Sequence, residues 1–251
     1  MNHSIHPTFA RWLAPAFVSV ACLMVMPFAA QAASVSGSGK ASTETRSLAD
    51  FQAVALNGSM DLVVRQGATQ NVQVSADDNL LPLLETVVES TAQGATLVVR
   101  WKKGQSLSTR MNVMVTVVLP KLSALSASGS GDIRVEPFKT PALKLMLSGS
   151  GDASFERLNT ADFGIRISGS GDVAANGSAT KLSVSIAGSG GVQLADLKAD
   201  DVTVSIAGSG DAAVNADKTL EVGIAGSGDV SYSGNAAVKS KVAGSGSVSK
   251  R

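Results

Sequence analysis

The sequence predicts an all-β protein, wound as a right-handed parallel β-helix with about 18–20 residues per coil. Three observations predict it. The tetrapeptide Gly-Ser-Gly-Asp, or a near copy, recurs seven times, starting at Gly129, Gly149, Gly169, Gly188, Gly208, Gly226 and Gly244. The copies are 18 to 20 residues apart, and such a fixed period marks a solenoid or array. Alternating apolar residues precede the copies, as in Leu143-Leu145-Leu147, Phe163-Ile165-Ile167, Leu182-Val184-Ile186, Val202-Val204-Ile206 and Leu220-Val222-Ile224.

Apolar residues two apart put one face of a strand against a core, and Val and Ile suit a packed, pleated surface. The glycines permit positive φ, so the chain can bend sharply after each strand. The aspartate can accept hydrogen bonds from nearby backbone amides, as in an Asx-turn. A shorter alternation follows each turn, for example Ala153 with Phe155 and Val192 with Leu194. Polar residues such as Asn159-Thr160 and Asn215-Ala216-Asp217-Lys218 are expected to close the units. The alternative is an antiparallel meander forming a sandwich or barrel. A meander needs neither one repeated tetrapeptide nor a constant period, whereas a coil of different perimeter loses register with its neighbours. The right hand follows from the rule for crossovers between parallel strands. Ile186 and Ile206, at matching positions, are expected to stack in the core, with Ser205 facing outward.

Residues 1–32 read as a secretory signal peptide: Arg11 precedes an apolar run from Trp12 to Ala30, and Ala30-Gln31-Ala32 supplies a small-residue cleavage site. Cys22, the single cysteine, has a poor lipoprotein context in Ser19-Val20-Ala21, so lipid attachment is the second choice. Residues 33–46, rich in Ser, Thr and Gly, read as a flexible lead-in to one β-solenoid domain over 47–251. Within it, residues 47–120 are irregular N-terminal coils and residues 121–251 are the regular coils. In the irregular part Asn57-Gly58-Ser59-Met60-Asp61 is a degenerate tetrapeptide, and strands are expected at Val72–Val74, Leu97–Trp101 and Val113–Leu119. Leu80, Leu81 and Leu84 suggest a helical turn, which Pro82 keeps short.

Phe51 with Val54, the Asn57–Asp61 turn, Gln66-Gly67, Asp78-Asn79-Leu80-Leu81, and Leu119-Pro120 leading to Gly129–Asp132 occur in an order that resembles the putative auto-transporter adhesin, head GIN domain family. The resemblance covers roughly residues 45–235. It implies a right-handed β-helix in the bacterial envelope or exterior, and a passenger-like module rather than a complete auto-transporter, since no membrane barrel follows.

Removal of the leader takes with it Cys22, His3 and His6, the chain's only cysteine and histidines, and leaves 20 basic against 20 acidic residues. This excludes Ser-His and Cys-His catalysis, disulfides and histidine-based metal sites. Balanced charge gives no basis for nucleic-acid binding, and no second stretch is apolar enough to span a bilayer. Carboxylate chemistry remains, but the repeat aspartates occupy equivalent turns, whereas a catalytic site breaks a repeat at one place. The row Asp132, Asp152, Asp172, Asp211 and Asp229 is a candidate calcium ladder, interrupted by Gly191 and Ser247. The expectation is that local hydrogen bonds hold these carboxylates and that no cofactor is required. Arg100-Trp101-Lys102-Lys103 is a candidate contact for anionic glycans or headgroups, against the plainer reading of a strand end entering solvent. The expected function is a non-enzymatic, adhesin-like binding module of the periplasm or cell surface, with a glycan or protein of the envelope as partner and self-association open. The alternative is a lyase or hydrolase acting on polysaccharide.

Overall fold

The computed structural model describes residues 1–2 and 33–251. The expected leader, with Arg11, Cys22 and Ala30-Gln31-Ala32, lies outside the described residues. Residues 33–251 belong to one compact unit. It is a β-solenoid of about six turns.

The first strands are β1 (Ala33–Ser36), β2 (Ala41–Arg46), β3 (Ala53–Gly58), β4 (Asp61–Gln66) and β5 (Asn71–Asp77). A single 3-10 turn, Leu81–Leu83, carries Pro82 where the predicted short helical turn falls. There follow β6 (Leu84–Thr91), β7 (Gly94–Trp101), β8 (Gln105–Ser108) and β9 (Met114–Leu119). The regular part runs through β10 (Ala124–Gly129), β11 (Ile133–Val135), β12 (Lys139–Gly149), β13 (Ala153–Gly169), β14 (Val173–Gly188), β15 (Val192–Gly208) and β16 (Ala212–Gly226). It ends with β17 (Val230–Ser233), β18 (Ala237–Gly244) and β19 (Val248–Lys250).

From β10 onward every pairing is parallel and equivalent residues face each other. Leu145 pairs Ile165, which pairs Val184, then Val204, then Val222. All five are buried, so each rung of the ladder is also a layer of the core. Ile186 pairs Ile206 as the repeat predicts, and Ser205 beside it is exposed. Phe155 and Phe163 meet edge to face, with ring centroids 5.1 Å apart, filling the interior of one coil.

Two expectations are corrected. Asn159-Thr160 and Asn215-Ala216 are not turns between units: they pair in the ladder with Lys139-Thr140 and Lys198-Ala199, and Thr160 and Ala216 are buried, while Asp217-Lys218 fall at a register shift. The bend sits just before, where the register shifts between Phe155 and Leu158 and Arg157 takes φ of 46°. Each coil thus has a third short strand side. Residues 33–46, expected as a flexible lead-in, hold strands β1 and β2. Strand β1 pairs β8 in parallel, and β2 pairs β5 antiparallel.

The irregular region also departs from simple coiling. Strands β3 and β4 form a layer in register with β10 and β11, while β7 and β9 lie on the opposite side of that same layer. The chain therefore steps outward past its first layer before returning to wind the regular coils. Antiparallel β5 and β6 finish that end by pairing β9 and β7.

Candidate functional site

Each regular coil turns through a Gly-Ser-Gly whose backbone nearly touches the turn of the preceding coil. A side chain built on Gly169, which has φ of 141°, would place its Cβ 2.2 Å from the carbonyl oxygen of Gly149. At Gly171 the φ is not positive, yet a Cβ would still lie 2.2 Å from the oxygen of Gly151. The first glycine is therefore needed for conformation and clearance, the second for clearance alone. Between them the Ser170 N–H donates to the Gly149 carbonyl at 2.9 Å, and the same bond recurs from coil to coil.

This stacking places the aspartates in a row, and the row is longer than the tetrapeptide suggests: Asp61 of the degenerate copy begins it. The Asp132 N–H donates to Oδ1 of Asp61 at 3.0 Å, Asp152 to Asp132 at 2.9 Å and Asp172 to Asp152 at 2.8 Å. The Gly191 N–H donates to Asp172 at 2.7 Å, Asp229 to Asp211 at 2.8 Å, and the Ser247 N–H and hydroxyl both to Asp229 at 2.8 Å. These are not local Asx-turns. Each carboxylate accepts the amide of the equivalent residue one coil further on. Gly191 brings no carboxylate, so the series breaks between Asp172 and Asp211.

The side chains of Asp132, Asp152, Asp172, Asp211 and Asp229 are exposed. Adjacent strands are about 4.8 Å apart, where two carboxylates in water repel by about 1 kcal/mol. A charge-assisted amide bond at each carboxylate contributes about as much in the other direction. Among the described residues no three His, Cys, Asp or Glu side chains are grouped to hold a metal ion. Beside the row runs a shallow groove of about 370 Å³, lined also by Val63, Arg134, Ser154 and Gln193.

The Arg100-Trp101-Lys102-Lys103 run divides. Arg100 binds Glu85 and Glu89, each at 3.0 Å, and these two carboxylates, Glu85 first, raise its guanidinium above the ordinary value. Trp101 is half-buried against the core, and the Lys102 N–H donates to the Leu83 carbonyl at 2.9 Å. Only the side chains of Lys102 and Lys103 point freely to solvent. The run is not one cationic patch with an aromatic platform.

A second constellation involves residues from the lead-in. Asp77 is 1% exposed, and its carboxylate accepts the Gly39 N–H at 2.7 Å and the Thr109 hydroxyl. Asn79 holds the same segment by its main chain, accepting the Ser38 N–H at 2.9 Å and donating to the Ser36 carbonyl at 2.8 Å. The Ser38 hydroxyl donates to Asp78, and this bond is the chief reason the Asp78 carboxyl lies below its ordinary value, with Lys40 also lowering it. A Cβ at Gly37 would sit 2.5 Å from the Asp77 carboxyl, so the cradle admits only glycine there.

These features can be set beside known proteins. A family model described as putative auto-transporter adhesin, head GIN domain, matches residues 50–236. The chain belongs to this family. Among solved structures, an adhesin of Bacteroides fragilis described as putative is 22% identical with a TM-score of 0.82, covering 86% of this chain and 100% of its own. Another so described, from Parabacteroides merdae, is 25% identical with a TM-score of 0.73, covering 88% of this chain and 100% of its own. A Parabacteroides distasonis protein titled a putative lipid binding protein is 25% identical with a TM-score of 0.69, covering 87% and 99%. No curated protein matches the chain. The family is of adhesin type, consistent with a binding module of the surface or envelope. Among the described residues no helix is long and apolar enough to cross a membrane.

Proposed function

We propose that the chain is an exported, non-enzymatic module of the bacterial envelope that binds another envelope or surface component along the side of its solenoid. The observation that carries this reading is the equivalence of the coils. From Asp61 to Asp229 every row carboxylate accepts the same backbone amide of the next coil, so none is singled out as a general acid, base or nucleophile. Catalysis by paired carboxylates needs two groups whose environments differ. A stack of equal coils instead presents a long, rigid, repeated surface, as solenoids in general do for extended partners. Family membership supports the same class, and one relative described as lipid binding fits binding rather than turnover. The row carboxylates are read as structural, with no resident cation.

The test is an array of glycans and envelope components probed with the exported chain, with the mass of each retained component measured afterwards. Retention without change in mass is expected. New reducing ends or unsaturated fragments from a polysaccharide would overturn the reading. N-terminal sequencing of the exported protein should begin at Ala33. An acylated Cys22 at the terminus would instead make it a lipoprotein.

A further inference from the structure

The last coil differs from those before it in what covers its interior. Strand β18 continues the ladder of β16, with Val238 beside Leu220, Ser240 beside Val222 and Val242 beside Ile224. Leu220 and Ile224 are 1% and 3% exposed, whereas Val238 and Val242 are each 40% exposed. Apart from Met1 and Met114 they are the only large apolar side chains exposed among the described residues. Among the described strands β18 pairs β16 alone, so its far edge offers unpaired N–H and C=O groups, a template for a further strand. From Val230 to Arg251 the chain carries four basic residues and no acidic one. Two of the four, Lys239 and Lys241, are exposed on the outward side of β18.

The opposite end of the same sheet is β6. Parallel pairing runs from β18 through β16, β15, β14, β13, β12, β10 and β3 to β7. Strand β6 then ends the sheet antiparallel to β7 and pairs no other described strand. On its core side Leu84, Thr86 and Val88 stand beside Trp101, Val99 and Leu97, and Val88 is only partly buried. Its outward side carries Glu85, Val87 and Glu89, and no residue of β6 is basic. A second copy displaced along the solenoid axis therefore sets its β6 antiparallel against β18 of the first. One register matches the two edges residue by residue. On the core side it puts Val238 opposite Val88, Ser240 opposite Thr86 and Val242 opposite Leu84. On the outward side Lys241 falls opposite Glu85, and Lys239 lies diagonally between Glu85 and Glu89, within reach of a long side chain.

We infer that the open edge of β18 docks a second copy of this chain, head to tail, on the β6 edge of that copy. The joint covers Val238 and Val242, supplies the missing backbone partners and brings opposite charges together. Lys239 is already paired with Glu221, and Glu85 and Glu89 with Arg100, so one net charge of each sign remains, positive at β18 and negative at β6. Lysines on an edge strand by themselves only keep like edges apart. Here they exclude β18 from pairing with β18 of another copy, while the acidic edge of β6 is the one they accept. Strand β2, the other free edge at that end, turns Glu44 and Arg46 to the core side beside buried Val74 and Val72 and offers no apolar row. Because the two docking edges differ, the contact does not close on itself, and copies add in a line. The inference goes beyond the binding-module reading and does not depend on it.

Sedimentation velocity of the full exported chain at low salt, over about a hundredfold range of concentration, reads the association. The mean sedimentation coefficient should rise with concentration past that of a dimer, and fall back on dilution or in high salt. Lys239→Glu with Lys241→Glu should weaken association at least tenfold, and so should Glu85→Gln with Glu89→Gln. Mixed together, these two variants keep one native joint between them, the β18 of the glutamine variant on the β6 of the other. The mixture should therefore associate as strongly as the native chain but stop at pairs. Lys144→Glu with Lys181→Glu makes the same charge change on the flank of the coils and should stay within twofold. Thermal midpoints establish that each variant is folded. A native chain that stays monomeric throughout would overturn the inference. Full association of either edge variant alone would overturn it too, by showing that one edge pairs with itself. A monomeric chain that instead retains an acidic component of the array, and loses it with Lys239 and Lys241, would give the edge to another partner and equally overturn the joint. Each of these failures leaves the module reading standing.

Discussion

Replacing Gly169 by alanine and, separately, Gly164 by alanine should have opposite effects, although the two lie on one strand five residues apart. At Gly169 the new methyl falls 2.2 Å from the Gly149 oxygen, far inside contact distance, in a backbone held at φ of 141°. Relief requires the turns of neighbouring coils to part. That stretches the Ser170 N–H bond to Gly149 (2.9 Å) and the Ser189 N–H bond to Gly169 (3.0 Å). Left-handed strain costs about 1–3 kcal/mol. Each weakened hydrogen bond adds about 0.5–1.5 kcal/mol. The expected loss is therefore about 2–6 kcal/mol, or roughly 4–24 °C in midpoint for a domain of this size. At Gly164 the methyl enters open space at ordinary φ, so alanine should be neutral or stabilise by about 0.4–1 kcal/mol through the unfolded chain. Urea unfolding of both variants, with slopes compared to confirm a common transition, reads the two values. A silent Gly169→Ala, or a Gly164→Ala as damaging as its neighbour, would show that close stacking of the turns is not what the glycines are for.

Further outcomes test other parts of the fold. Ile206→Ala should cost about 2–5 kcal/mol as a buried large-to-small change, and Ser205→Ala almost nothing; equal effects would contradict the in-out alternation. The thermal midpoint should not move between millimolar calcium and a chelator. A rise of several degrees with calcium, abolished by Asp152→Asn with Asp172→Asn, would show that the row binds the ion. Because the Asp78 carboxyl lies below its ordinary value, its contribution is present above that value and is lost as pH falls through the lower, folded one. Amide exchange at Ser38 and Gly39 should therefore accelerate, relative to the core, below about pH 3.9. In Ser38→Ala, which removes the chief cause of the lowered value, most of this acid-dependent acceleration should disappear; an unchanged profile would mean that another group holds the segment.

Much of the regular solenoid was legible because its period and its contacts coincide. Val184 and Val204 are 20 residues apart and also adjacent rungs, so reading one predicts the other. The irregular part lacks that identity. Alternation around Val72–Val74 or Leu97–Trp101 reports which side chains face the core, but not the partner strand or its direction. Antiparallel β5 and β6, and the placement of β7 beyond β3, could not be read from it. Polarity misled at Asn159-Thr160, where a paired strand carries residues usual in turns. It misled again at residues 36–40, held by main-chain bonds to Asp77 and Asn79 that composition does not register. The aspartates were recognised as amide acceptors, but local spacing pointed to their own turn, whereas the donor lies 18 to 20 residues ahead. Sequence spacing likewise grouped Arg100 with Lys102, while the structure hands Arg100 to Glu85 and Glu89.

The carboxylate-to-amide row gives each coil the same upper and lower surface: an amide offered to the coil before, an acceptor offered to the coil after. Any whole coil is thus interchangeable with its neighbour. An in-frame duplication of one repeat would lengthen the molecule by about 4.8 Å and meet matching glycines on both sides, without repacking a core elsewhere. Gly191 shows that even a coil lacking the acceptor is accommodated. Reach can therefore change in the genome in steps of one repeat while the flanking coils keep their surfaces, a freedom that a globular core does not have.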